Sequence, residues 1–477
     1  MEKRQIAKSF FWTALETYST QGIAFIVSIF MARMLSPGDY GILGIIGVFI
    51  ALSDTFIDSG FTNALINKKE CTNADYSTVF YFNIGISILF FCILFFLAPI
   101  IAQIYENETL VWTTRAMALT FIISSFGAVP MTILTKELRF KSKAIITFSV
   151  SIFSGIIGLV LAYSGFGVWA LIWQSVLSVL FRVLIYIVYT KWHPVRVFSR
   201  ESFKNLFEFG SKLLCSNIIY TLYNNIYNLV IGKVFNATQL GYFTRADGYS
   251  KLIPSNISGI LGKILFPILS KIKDNDEELK TLHHEFILIT SFFIFPGCMF
   301  LAGLSRPLVF LLITEKWMPI VPLLQILCIS GIFEHFSTIN GNFILSKGVS
   351  GLFMRMQIIT KPIGIIILAI TIFTSLEIVA WGKVLYSIVC FFVGYFYLRK
   401  ILAISLKSSI MEILKLFCIS SGICLIYIKL FNDISLTWLN LIIAGIGGLL
   451  LYIIIASICC RKTMYMIKQL KNLNKQI

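Results

Sequence analysis

Residues 77–104 read STVFYFNIGISILFFCILFFLAPIIAQI, and this stretch decides the class of fold. No acidic or basic side chain occurs between Ser77 and Ile104. A helix that crosses the hydrocarbon core of a bilayer needs about 20 predominantly apolar residues, so the stretch is long enough to span. Lipid supplies no water to an open backbone, which leaves only helices and closed barrels. The stretch does not alternate at period two as a barrel strand would, so it is a helix.

Working outward, similar stretches recur over the whole chain of 477 residues. They fall at about 11–34, 40–66, 77–104, 112–135, 143–164, 166–190 and 207–234 in the first half. The second half adds 241–269, 286–311, 320–345, 352–374, 378–400, 410–430 and 436–459. The fold class is therefore an all-α polytopic membrane protein with about fourteen transmembrane helices and short loops. Composition agrees: 57% of residues are apolar and 13% charged, against about 45–50% and roughly 25% in soluble chains. Such a chain has too little polar surface to cover a water-soluble core, which excludes a soluble enzyme, a disordered chain and a disulfide scaffold. Nine of the 10 cysteines lie in or beside apolar runs, and only Cys71 stands in a clear loop. They read as small buried hydrophobes and not as a disulfide framework. The basic start, Met1 to Lys8, leads into a stretch that carries Glu16 and continues past residue 30, so an uncleaved first span is expected.

The formal charge of +17 suggests nucleic acid until the 40 Lys and Arg are placed. With the N-terminus in the cytoplasm, most of them fall in cytoplasmic segments. Examples are Lys3, Arg4 and Lys8, then Lys136, Arg139, Lys141 and Lys143, then Arg461 and Lys462. This is the positive-inside pattern, and it also places the C-terminus in the cytoplasm. The charge records topology and contact with anionic headgroups, so no nucleic-acid partner is called for. The basic residues outside those segments are Arg33, Arg115, Arg182, Lys233, Arg245, Lys251, Lys263, Arg306, Lys316, Lys383 and Lys429.

The chain also repeats itself. Met31-Ala-Arg33-Met-Leu35-Ser-Pro-Gly-Asp-Tyr-Gly41 follows the first span, and Ile231-Gly-Lys233-Val-Phe235-Asn-Ala-Thr-Gln-Leu-Gly241 follows the seventh. Ala98-Pro99 and Arg306-Pro307 form a second pair at a similar offset. The repeats predict two six-span lobes, residues 1–200 and 201–404, with two added spans and a basic tail over 405–477. Six spans return the chain to its starting side, so the repeat is parallel, an arrangement typical of transporters.

Several of these segments resemble a known family. Ala32-Arg33-Met34-Leu35-Ser36-Pro37-Gly38-Asp39-Tyr40-Gly41, Asp58-Ser59-Gly60-Phe61, Gly167-Val168-Trp169-Ala170-Leu171, Phe266-Pro267-Ile268-Leu269-Ser270 and Glu315-Lys316-Trp317 carry the resemblance. They are similar to the Wzx-type lipopolysaccharide and exopolysaccharide flippases. These belong to the polysaccharide transporters of the multidrug/oligosaccharidyl-lipid/polysaccharide exporter superfamily. The resemblance runs to about the twelfth span. It implies two six-helix bundles forming a V around a central cavity, with the last two spans peripheral. It also implies a bacterial cell membrane and a polyprenyl-pyrophosphate-linked glycan as cargo.

Ionisable residues within spans cost about 2.5–3.5 kcal/mol each on insertion scales, and they face a cavity or a partner. Span seven aligns Asn217, Thr221, Asn224 and Asn228 in one polar stripe. Arg182, Lys251, Lys263 and Arg245 are candidates to meet a pyrophosphate, because ammonium and guanidinium donors pair its charge in a low dielectric. The bland alternative is an ion pair with a neighbouring carboxylate, as Lys251 with Asp247 one turn before. Glu16, Asp54 and Asp58 are candidates for coupling to H+ or Na+, against a structural role in helix packing. His335 beside Glu334 is a further titratable group, read as packed. No metal or other cofactor is expected.

The resulting expectation is a secondary transporter, not an enzyme. It flips undecaprenyl-pyrophosphate-linked oligosaccharide repeat units from the cytoplasmic to the outer leaflet by alternating access, for O-antigen, capsule or exopolysaccharide assembly. Polysaccharide polymerase or co-polymerase machinery is a possible partner. The rivals are a cation-coupled drug antiporter or a peptidoglycan-precursor flippase of the same superfamily. An integral membrane glycan polymerase or ligase is the alternative from another class. A polymerase or ligase is expected to need a large outer loop with catalytic side chains. Here the outer loops are short and hold no nucleophile elbow, phosphate loop or metal-ligand cluster.

Overall fold

The computed structural model describes residues 3–58, 61–68, 70–404, 407–433 and 436–466. Among them are sixteen α-helices. The first eight are α1 (Lys3–Met34), α2 (Pro37–Asp58), α3 (Phe61–Asn67), α4 (Asn73–Ile104), α5 (Thr109–Lys136), α6 (Phe140–Tyr163), α7 (Val168–Thr190) and α8 (Arg200–Val234). The rest are α9 (Ala237–Lys271), α10 (Asp276–Gly303), α11 (Ser305–Ile313), α12 (Ile320–Ser346), α13 (Ser350–Thr371), α14 (Leu376–Leu402), α15 (Lys407–Asp433) and α16 (Trp438–Cys459). Eleven are long and apolar enough to cross a membrane. Three more, α1, α8 and α9, have 32, 35 and 35 residues and are long enough to cross, but are more polar. The all-α polytopic expectation therefore holds, with fourteen long helices.

Two expected spans differ in their helix assignment. The span expected over 40–66 is described as α2 up to Asp58 and α3 from Phe61, with residues 59–60 outside the described residues. The Phe61 ring lies 4.4 Å from Phe82 of α4 and 5.5 Å from Phe203 of α8, while Ala64 and Leu65 join Val79, Phe80 and Val129 in one core. The expected span over 286–311 divides at Leu304 into α10 and α11. A Cβ on Gly303 would press the Tyr427 side chain and the Cys424 carbonyl of α15. Pro307, in the first turn of α11, lacks an N–H where the helix needs none.

Local chemistry sets the helix starts. Thr72 caps α4 through a reciprocal box: Asp75 N–H donates to its hydroxyl, and its own N–H donates to the Asp75 carboxylate at 2.8 Å. Asp75 is buried and also holds the Lys68 ammonium at 2.7 Å. The start of α2 uses the same box, with Ser36 N–H donating to Asp39 at 2.8 Å. At the start of α9 the Asn236 side chain accepts from Gln239 N–H at 2.8 Å. Ser36 and Asn236 occupy equivalent positions of the sequence repeat, so both copies are N-caps.

By contacts the chain divides into two compact units, Met1–Gly241 and Tyr242–Ile477. In the first, α4 pairs with α5, α5 and α6 with α7, α1 with α6, and α2 with α8. Here the first turns of α2 and α9 meet backbone to backbone. A Cβ on Gly41 would run into the Ala237 carbonyl, and one on Gly241 into the Pro37 carbonyl. Only glycine permits that approach, and the two glycines are again equivalent positions of the repeat. In the second unit α12 pairs with α14, α10 with α12 and α15, and α13 with α14, while α16 packs on α15 and α10. Large apolar side chains such as Phe96, Phe153, Val188, Phe373, Phe392 and Leu439 remain exposed. In water so much apolar surface would drive aggregation, whereas in a bilayer it contacts lipid.

Candidate functional site

The strongest concentration of charge inside the second unit centres on Asp247 of α9. Its Oδ2 accepts from the Lys251 ammonium one turn on, at 2.8 Å. Its Oδ1 accepts from the Lys383 ammonium, which reaches across from α14. The Lys251 side chain is 45% exposed, Asp247 21% and Lys383 12%. Glu334 of α12 acts electrostatically on Lys251 and Lys383, and on Lys361 of α13. The Ser330 hydroxyl donates to Glu334 at 3.3 Å. Packing holds α9 against α12 at this level, with the Pro254 ring in the gap left by Gly331. Arg245 stands half-buried one turn before Tyr249, its guanidinium 6.0 Å from that ring.

Of the pyrophosphate candidates, Lys251 and Arg245 thus lie on one helix in the second unit. Arg182 belongs to the first unit, on α7, where it and Glu16 of α1 act electrostatically on Tyr186. Thr147 of α6 donates to Glu16 at 3.1 Å. The side chains of Lys263 and Asp58 lie outside the described residues. Asp54 is half-buried on α2, and next to it Thr55 meets Thr221 of the α8 stripe, hydroxyl to hydroxyl, at 2.9 Å. In the same stripe Asn217 and Asn228 are half-buried and Asn224 is exposed.

Sequence reading does not single out Lys383 of the Asp247 triad, nor Lys361. Lys361, expected in a cytoplasmic segment, lies within a helix of spanning length, where Glu334 acts on it electrostatically. Lys383 was one of eleven basic residues outside the cytoplasmic segments and was not singled out. The available signal was a single ammonium in the otherwise uncharged run 378–398. The two histidines of the second unit's interior are packed instead: His283 Nε2 bonds Asn340 Oδ1 at 2.9 Å, and His335 Nδ1 bonds the Ile332 carbonyl. Among the described residues no group of three His, Cys, Asp or Glu is placed to hold a metal ion.

This is the architecture of a multi-pass membrane protein with charge held inside long helices. The fold is shared with two solved transporters. The lipid II flippase MurJ in an inward closed conformation matches at a TM-score of 0.71 and 17% identity, over 95% of this chain and 100% of that one. An inward-facing multidrug resistance MATE family transporter of the MOP superfamily matches at 0.61 and 15%, over 82% and 98%. The profile of the family described as "Polysaccharide biosynthesis protein" matches residues 30–322, and the chain belongs to that family. Teichuronic acid biosynthesis protein TuaB of Bacillus subtilis (strain 168) is 28% identical over 430 residues, 89% of this chain and 88% of that protein. Lipopolysaccharide biosynthesis protein WzxC of Escherichia coli (strain K12) is 26% identical over 342 residues, 70% and 69%. The Wzx-type resemblance carried by the motifs is borne out.

Proposed function

We propose that the protein is a secondary transporter that flips undecaprenyl-pyrophosphate-linked oligosaccharide repeat units across a bacterial cell membrane. The observation that carries this reading is the polarity of α1, α8 and α9, helices of spanning length with charged or amide side chains along them. A helix polar enough to be excluded from lipid has to face other protein or a water-filled path. On α9 the excess is cationic, with Arg245 and Lys251 set against Asp247, as an anionic head group requires. The names of relatives as polysaccharide biosynthesis and transport proteins support the glycan, among them succinoglycan biosynthesis transport protein ExoT of Rhizobium meliloti (strain 1021).

In this reading two lobes, 1–200 and 201–404, alternate in exposing the head group to the two sides, and 405–477 stays peripheral. Both termini are cytoplasmic. Coupling to H+ or Na+ through Glu16, Asp54 or Asp58 belongs to the same proposal. Deleting the gene is expected to abolish the surface polysaccharide and to accumulate lipid-linked repeat units on the cytoplasmic face. Loss of the polysaccharide without that accumulation would overturn the flippase reading and favour a polymerase or ligase.

A further inference from the structure

Asp247 is shared by two ammonium groups that come from different helices, Lys251 from its own and Lys383 from α14. Two ammonium groups on one carboxylate give this triad one more positive than negative charge. An anion with two oxygens is the chemical match for two neighbouring ammonium groups.

We propose that Asp247 is an internal competitor of the cargo: in the empty transporter its two carboxylate oxygens occupy the Lys251–Lys383 pair that takes phosphoryl oxygens of the loaded cargo. This deepens the proposal of an anionic, pyrophosphate-bearing cargo and rests on it. A carboxylate gives one oxygen to each lysine, and a phosphoryl group offers the same two oxygens with more charge. Lysine carries a compact charge on a flexible four-carbon stem, so both ammonium groups re-aim by rotamer change without helix movement. Lys251, the more exposed of the pair, is the first contact, and Lys383 completes the grip. The competitor serves transport. A cation pair left open would hold the pyrophosphate too tightly to release it, and occupation by Asp247 lowers the apparent affinity by the fraction of time the pair is closed.

The test uses the purified full-length protein in detergent micelles, with farnesyl pyrophosphate and inorganic pyrophosphate as probes in calorimetric titration. Asp247→Asn is expected to tighten binding of both by on the order of tenfold, the gain that follows if the pair is closed about nine-tenths of the time. Lys251→Met and Lys383→Met are each expected to weaken binding, and Asp247→Glu, which keeps the competing charge, to bind as the wild type does. In cells, D247N is expected to slow polysaccharide export despite its tighter binding. The double variant D247N/K361M keeps the net charge of the protein at its wild-type value. It is expected to bind more tightly as well, and it serves if D247N alone does not fold. Unchanged or weaker binding by the Asn variants, with binding still lost in the lysine variants, would overturn the competitor while leaving the anion site standing. Unchanged binding in both lysine variants would overturn the anion site itself. Phosphatidylglycerol added to the micelles is expected not to displace either probe; displacement would assign the lysine pair to a phospholipid headgroup and overturn the cargo reading.

Discussion

Asp75 shows how much one buried carboxylate arranges. It closes the capping box with Thr72, holds Lys68, and sits 1% exposed at the start of α4. Asp75→Ala removes a cap and a charge-assisted contact, each worth about 1–2 kcal/mol. A destabilisation of about 2 kcal/mol is expected, read as a lower thermal midpoint of the detergent-solubilised protein; an unchanged midpoint would show the box to be ornamental. Tyr105, just past the end of α4, donates to the Leu229 carbonyl of α8 at 3.2 Å. Burial pushes its hydroxyl up to about 12, so it remains a protonated donor throughout the physiological range. Tyr105→Phe is expected to cost about 1 kcal/mol, with no pH dependence between pH 6 and 9 by the same melting assay. Neither the capping by Ser36 and Thr72 nor the burial of Asp75 against Lys68 was read from the sequence. Burial depends on what the rest of the chain lays over a position.

At the level of elements, the repeat Leu35–Gly41 and Phe235–Gly241 proves to be one device used twice. Each copy is an N-cap followed five residues later by a glycine, and the two glycines let α2 and α9 touch through their backbones. Gly41→Leu or Gly241→Leu places a side chain where a carbonyl already sits, and overpacking of that kind costs about 1–3 kcal/mol. Cysteines introduced at Gly38 and Thr238, which adjoin in this crossing, are expected to crosslink under mild oxidation. Adding Gly41→Leu is expected to abolish that crosslink, and its persistence would show that the backbone contact is not needed. The motif itself was legible as a repeat. That its two copies meet was not, because nothing in either copy names its partner. The same holds for the division between α10 and α11, where hydropathy runs on while Gly303 packs closely against Tyr427.

For the whole molecule, the asymmetry of basic residues between successive loops makes a topology prediction. The loop before α5 carries Glu106 and Glu108, whereas the one after it is flanked by Lys136, Arg139, Lys141 and Lys143. In a cysteine-free background, Asn107→Cys is expected to react with a membrane-impermeant maleimide in intact cells, and Leu138→Cys only after lysis. The reverse pattern would invert the orientation and with it the direction of transport. Sequence alone determined the class of fold, the number of long helices, the repeat and the family. All of these follow from local properties: apolar length against bilayer thickness, the side on which charge accumulates, and short motifs read in order. The tertiary structure alone decided which charges meet. Lys251 and Asp247 are one turn apart and could be paired by inspection, but Lys383 lies far along the chain and Glu334 and Lys361 on two further helices. Helix periodicity tells which residues share a face, not which helix that face is turned toward, and it is this second choice that makes Asp247 the centre of a site.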